Sequence, residues 1–172
     1  ELLQNNNFLQ RAKYEEIKQD IKDAVQKCDL EMIEILLSEE IEKNGMIFKI
    51  NRTRRTASLF KIMDNVNELV VPRSITHSGE TYLVTSISGS PNSAKNIETL
   101  RFESGSQVRT IYRNSFYNSP IKNLFIPPLL KEFKSCWYNS RRLQRIDISR
   151  DNSNFVMKDE RYLLSKSDPE SD

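Results

Sequence analysis

A chain of 172 residues has room for one ordinary domain, or one small repeat array with an appendage, and enough length to bury a core. At 37% hydrophobic and 29% charged residues it is leaner than an average globular domain but far from a disordered composition, and four glycines leave little material for phosphate-cradling loops. The net charge of +2 conceals an asymmetry: residues 1–45 hold 6 basic and 11 acidic side chains, 46–100 hold 7 and 4, 101–150 hold 10 and 3, and 151–172 hold 3 and 6.

The first 44 residues carry a helical period. Ile17, Ile21, Ala24, Val25 and Cys28 form one apolar stripe on an otherwise charged helix. Asp29 reads as the N-cap of a second helix whose apolar face is Leu30, Ile33, Leu36 and Leu37. Residues 1–44 are therefore expected to be a helical hairpin. At Asn44-Gly45 the pattern changes. Residues 46–50 and 57–62, rich in β-branched and aromatic side chains, flank Asn51-Arg52-Thr53-Arg54-Arg55, which predicts a β-hairpin with a basic tip within 45–66.

From residue 67 onward the apolar residues recur at a longer interval. Val84, Ile87, Ile97, Leu100 and Phe102 are each followed 24 positions later by Val108, Ile111, Ile121, Leu124 and Ile126. Leu130, Phe133, Leu143, Ile146 and Ile148 follow in turn, each after a further 22 positions. Three such rows define a repeat protein of about three units. The end of each phrase alternates inward and outward as a short strand does, so stacking one strand per unit predicts a narrow parallel sheet. The connecting stretches are expected to return the chain by turns or short helical pieces. The fold class is thus α+β: an N-terminal helical hairpin, a β-hairpin, then a short solenoid over 67–172.

Those phrases resemble the BspA-like leucine-rich repeats of bacterial surface proteins and parasitic protists. The resemblance rests on Val71-Pro72 and Ile126-Pro127-Pro128, on Leu130 and Phe133 followed by Cys136-Trp137 and Ser140, and on Leu143, Ile146 and Ile148. Asn154-Phe155, with residues 161–166, is similar to a hairpin found between the family's repeats. It covers about residues 45–172, with Ser115-Phe116 and Cys136-Trp137 in place of the usual Ala-Phe. Separately, Cys28-Asp29-Leu30, Ile33 and Leu36-Leu37-Ser38 resemble half of an ankyrin-type helix pair; the alternative is a helical cap. The resemblance implies a protein-binding or adhesive role at a cell surface. An intracellular scaffold, or the targeting arm of a larger catalytic protein, are the alternatives.

No enzyme, cofactor or metal site is expected. Cys28 and Cys136 lie too far apart in sequence for a paired-ligand motif and read as free thiols, and His77 is the only histidine. Carboxylate pairs such as Glu39-Glu40 fall in polar stretches. No apolar run reaches the length of about 18 residues needed to span a membrane, and the chain opens on Glu1 rather than Met, so it reads as a piece of something longer. The sequon at Asn51 is a single occurrence and carries little weight.

The candidate partner-binding residues are Arg141, Arg142 and Arg145, within a basic region that includes Arg109, Arg113, Lys131, Lys134 and Arg150, together with Tyr117 and Tyr138. Tyr112 would join the tyrosines if exposed with them. This points to a protein or surface glycan of acidic character. Nucleic acid is disfavoured because no RNP, KH, zinc-finger or helix-turn-helix signature accompanies the charge. The oligomeric state is left open.

Overall fold

The computed structural model describes residues 18, 21–22, 25–26, 30–63, 66–89, 95–112, 115–116, 118–134, 142–159 and 162–166. The chain divides into two compact units, Glu1–Glu39 and Glu40–Asp172.

In the first unit the expected helical hairpin is not supported. One helix of defined extent stands among the described residues, α1 (Leu30–Leu37), while Ile17, Ala24, Cys28 and the proposed cap Asp29 lie outside them. Leu36 is buried, whereas Leu30 and Leu37 are 73% and 68% exposed. The apolar residues therefore do not share one covered face. Ser38 ends the helix: its N–H donates to the carbonyl of Ile35 at 3.1 Å, and its hydroxyl donates to that of Glu34.

The helical reading of 39–43 is also overturned, because Glu39–Lys43 is a strand, β1. Asn44 and Gly45 take φ values of 50° and 68°, a two-residue turn whose twist suits a hairpin, so β1 folds onto β2 (Met46–Asn51). The turn overrides the local preference of Glu-Glu-Ile-Glu-Lys for helix. Strand β2 then pairs antiparallel with β3 (Thr56–Ile62) around a tip in which the Asn51 side-chain oxygen accepts from the Arg54 N–H at 2.9 Å.

The remaining strands wind as a β-solenoid of about three turns. In chain order they are β4 (Glu68–Val71), β5 (Ser74–His77), β6 (Glu80–Ile87), β7 (Thr99–Phe102), β8 (Thr110–Ile111), β9 (Asn123–Ile126), β10 (Glu132–Phe133) and β11 (Arg145–Ile148), followed by a separate antiparallel hairpin of β12 (Phe155–Lys158) and β13 (Tyr162–Ser165). Each turn contributes a strand to each of two sheets. Sheet A runs β1-β2-β3-β6-β8-β10, with β3, β6, β8 and β10 parallel and β5 paired antiparallel to β6. Sheet B runs β4-β7-β9-β11, all parallel. The returning stretches, expected as turns or helical pieces, thus supply a second parallel ladder. Short phrases such as Thr110-Ile111 suffice because each rung is hydrogen-bonded to its neighbours.

The apolar rows read from the sequence stack in register. In sheet B, Leu69, Leu100, Leu124 and Ile146 form one ladder, and beside it Val71 pairs with Phe102 and Ile126 with Ile148. In sheet A, Leu59, Ile87, Ile111 and Phe133 do the same. The interior rungs are buried. Leu143, expected to continue the row of Ile97 and Ile121, is instead 38% exposed, and Ile146 and Ile148 are half-buried. Among the described residues no further coil lies on their outer side, and a rung is covered fully only when coils lie on both sides of it.

Two polar features tighten the stack. Ser58, Ser86 and Ser88 are buried together, with hydroxyl contacts of 2.8 and 2.9 Å centred on Ser58, so the register shift beside Ser58 leaves no buried hydroxyl of the three unpartnered. Gly89 lies where a Cβ would meet the Ser115 Cα at 2.6 Å, a separation open only to glycine.

Candidate binding face

Sheet B positions the candidate face. Its strands alternate, so the residues between the buried ladder positions project outward. One outward row is Glu68, Thr99, Asn123 and Arg145; the second contains Val70, Arg101, Phe125 and Asp147. Neighbouring rungs interact along the face. The Asn123 amide donates to the Thr99 hydroxyl at 3.2 Å, Arg101 pairs with Glu68 at 2.8 Å, and Arg145 pairs with Asp147 on its own strand at 2.9 Å. Lys122 and Glu98, just before β9 and β7, pair at 2.7 Å. The Arg101–Glu68 and Arg145–Asp147 pairs are solvent-exposed and contribute roughly 0–1 kcal/mol each, so they order the side chains without committing them. Val70 remains exposed and Phe125 half-buried, which places apolar surface among the charges.

Of the residues singled out from the sequence, Arg142 is exposed before β11 and Arg145 lies on its outward face. Arg141, Tyr117, Tyr138 and Arg113 lie outside the described residues, as do Cys28 and Cys136. Tyr112 is buried, with the Lys134 ammonium 4.7 Å from its ring centroid, so it supplies no exposed contact. The basic region is also divided. Arg109 and Lys131 are exposed at the entry to β8 and β10 in sheet A, joined by a backbone hydrogen bond of 2.9 Å, whereas Arg145 belongs to sheet B. Fifty residues of net positive sequence become two separate faces because each coil crosses between the sheets. Among the described residues no three His, Cys, Asp or Glu side chains converge as metal ligands, and no helix is long and apolar enough to cross a membrane.

Sequence reasoning missed the outward row on β4 and β7, because Glu68, Val70, Thr99 and Arg101 share no residue type. Their only signal is their place between apolar ladder positions. It also missed Tyr82, which is fully buried and donates to the Glu80 carboxylate at 3.1 Å, while Arg55 holds the other carboxylate oxygen at 2.8 Å. Desolvation, then the hydrogen bond and charge of Glu80, push the phenol above its usual value of 10.0; Arg52 and Arg55 oppose this in part.

The outcome that decides the architecture is the sheet B register, in which the Ile97, Leu100, Phe102 phrase and its successors supply one strand per coil. The chain is a β-solenoid built from one such phrase per coil. No family model matches it, and neither does any curated protein. Among solved structures, the solenoid is similar to the pneumococcal vaccine antigen PcpA, at 16% identity and a TM-score of 0.45 over 67% of this chain and 39% of that one. It is similar to a leucine-rich repeat protein from Bacteroides capillosus, at 14% identity and 0.44 over 64% and 98% of the two chains. A leucine rich cell surface protein from Faecalibacterium prausnitzii gives 14% and 0.37 over 67% and 44%. The solenoid thus spans about two fifths of the PcpA chain.

Proposed function

We propose that the chain is a non-enzymatic recognition module of the BspA-like kind, which binds a protein or surface glycan through the outward face of sheet B and serves attachment at a cell surface. One observation supports this reading above the others: along β4, β7, β9 and β11 the inward positions are all apolar, while the outward positions mix charge, amide, hydroxyl and aromatic groups. Stacking and recognition therefore use different side chains, and the outward set can vary without cost to the fold. Arg142 and Arg145 extend the face at β11 and give it a preference for acidic partners; Arg141, Tyr117 and Tyr138, outside the described residues, are the further candidate contacts.

The test is binding to an immobilised panel of extracellular-matrix proteins and anionic glycans. Val70→Asp with Arg101→Glu, on β4 and β7, should abolish whatever binding the unsubstituted chain shows, while thermal stability stays within about 0.5 kcal/mol. Arg141→Glu with Arg142→Glu should weaken association and flatten its salt dependence. Binding that survives both pairs of substitutions would remove sheet B as the recognition face.

A further inference from the structure

The basic tip of the β2–β3 hairpin takes no part in the outward face of sheet B. Between residues 46 and 62 the chain carries five basic side chains and no acidic one, and three of the five, Arg52, Arg54 and Arg55, fall within the tip. All four tip residues, 52–55, are exposed. Like charges so close in sequence repel one another, and packing does not account for them, because none of the three is buried.

The tertiary structure fixes where these charges stand. Strands β3 and β6 are parallel, with Thr56 level with Leu83, so the tip before β3 and the Ser78-Gly79 turn before β6 lie at one edge of sheet A. Glu80, at the start of β6, meets Arg55 at 2.8 Å, and its second oxygen accepts from the Tyr82 hydroxyl at 3.1 Å. Arg55 takes a φ of 53°, a left-handed conformation that glycine adopts more readily, and here its side chain serves as the tie to β6. Its carbonyl also accepts from the Leu83 N–H at 3.0 Å, while the Asn51 side-chain oxygen holds the Arg54 N–H at 2.9 Å. The tip backbone is thus fixed at both ends. The Tyr82 phenol, raised above its usual value first by desolvation, is drawn the other way by Arg52 and Arg55, so Arg52 stands within electrostatic reach of the same edge.

A guanidinium fork meets an oxyanion through two parallel hydrogen bonds, and a tip held in place before the ligand arrives leaves little ordering to oppose binding. The exposed tip residues include no aromatic ring on which a nucleic-acid base can stack. Oxyanions strung along a flexible polysaccharide need only the forks. We propose that Arg52 and Arg54, positioned by the tie of Arg55 to Glu80, form a site for a sulfated glycan at the β2–β3 tip, separate from the face of sheet B.

The probe is heparin, and the protein is the 172-residue chain. Heparin should bind, and chemically desulfated heparin should bind at least about tenfold more weakly, since the sulfates supply most of the charge. Arg52→Gln with Arg54→Gln should raise the heparin Kd by at least about tenfold and reduce the slope of log Kd against log salt by roughly one for each cation withdrawn. Arg52→Lys with Arg54→Lys keeps both charges and therefore the slope, but it loses the paired hydrogen bonds and should bind with a Kd between those two. Arg109→Gln with Lys131→Gln withdraws equal charge from another part of sheet A and should leave heparin binding as it is. Equal affinity for desulfated heparin, or a glutamine variant at the tip that binds as the unsubstituted chain does, would overturn the proposal. So would a loss of binding that follows Arg109 and Lys131 instead, or tighter binding to duplex DNA than to heparin with the same dependence on Arg52 and Arg54.

Discussion

Asn152 shows how much one polar side chain can hold in the loop that follows β11. It is buried, and its amide donates to the carbonyls of Pro127 at 2.7 Å and Leu130 at 3.0 Å, while its oxygen accepts from the N–H groups of Asn154 at 2.8 Å and Phe155 at 3.0 Å. The Lys166 ammonium then caps its main-chain carbonyl at 3.1 Å. Asn152→Ala leaves several buried backbone groups with one partner fewer and should cost about 2–3 kcal/mol in urea unfolding; a loss below about 0.5 kcal/mol would mean that water replaces the amide fully. Tyr82 gives a second test at this scale. Because the folded state raises its pKa, the native chain holds the phenolic proton more tightly than the unfolded chain does. Its contribution is therefore complete below about pH 10, the unfolded value, and falls as pH rises through the folded value. Stability measured from pH 9 to 11 should decline less steeply in Tyr82→Phe than in the wild type, and equal slopes would contradict the assignment. Neither residue was legible in the sequence, where one asparagine in a polar stretch and one tyrosine in a strand look ordinary.

The ladders belong to the next scale. Leu124 sits in an interior coil with Leu100 on one side and Ile146 on the other, and it is buried. Leu124→Ala should therefore cost about 2–5 kcal/mol, as large-to-small changes in a packed core do. Ile146→Val removes one methylene from a half-buried rung and should cost less than about 1 kcal/mol; a larger loss would show that this rung is as tightly packed as the buried ones. The spacing of 24 and then 22 residues made these rows readable in advance, since a side chain repeated once per coil stacks on itself. The same spacing misled at Leu143, because periodicity marks a position in the coil and does not show whether another coil covers it. It was silent on the first rung, Leu69 and Val71, because the hairpin of β5 and β6 stretches the interval from there to Leu100 and Phe102 to 31 residues.

Across the whole molecule, each coil contacts its neighbours, so protection from exchange should follow position in the stack. Strands β7 and β9 are flanked on both sides, whereas among the described residues β12 and β13 pair with each other alone and are tied to the solenoid through Asn152 and the 5.3 Å contact of Phe155 with Phe133. In hydrogen exchange the amides of β12 and β13 should open at lower free energy than those of β7 and β9. Uniform protection would indicate one unfolding unit for the whole solenoid.

The repeat length, the identity of the stacked residues and the excess of positive charge over 101–150 follow from the sequence alone, because each depends on residue type and spacing. Tertiary structure decided what depends on neighbours distant in the chain. The Asn44-Gly45 turn joined β1 to β2, where the residues themselves suggested helix. Crossing between two sheets separated Arg109 and Lys131 from Arg145, which a linear charge count had placed together.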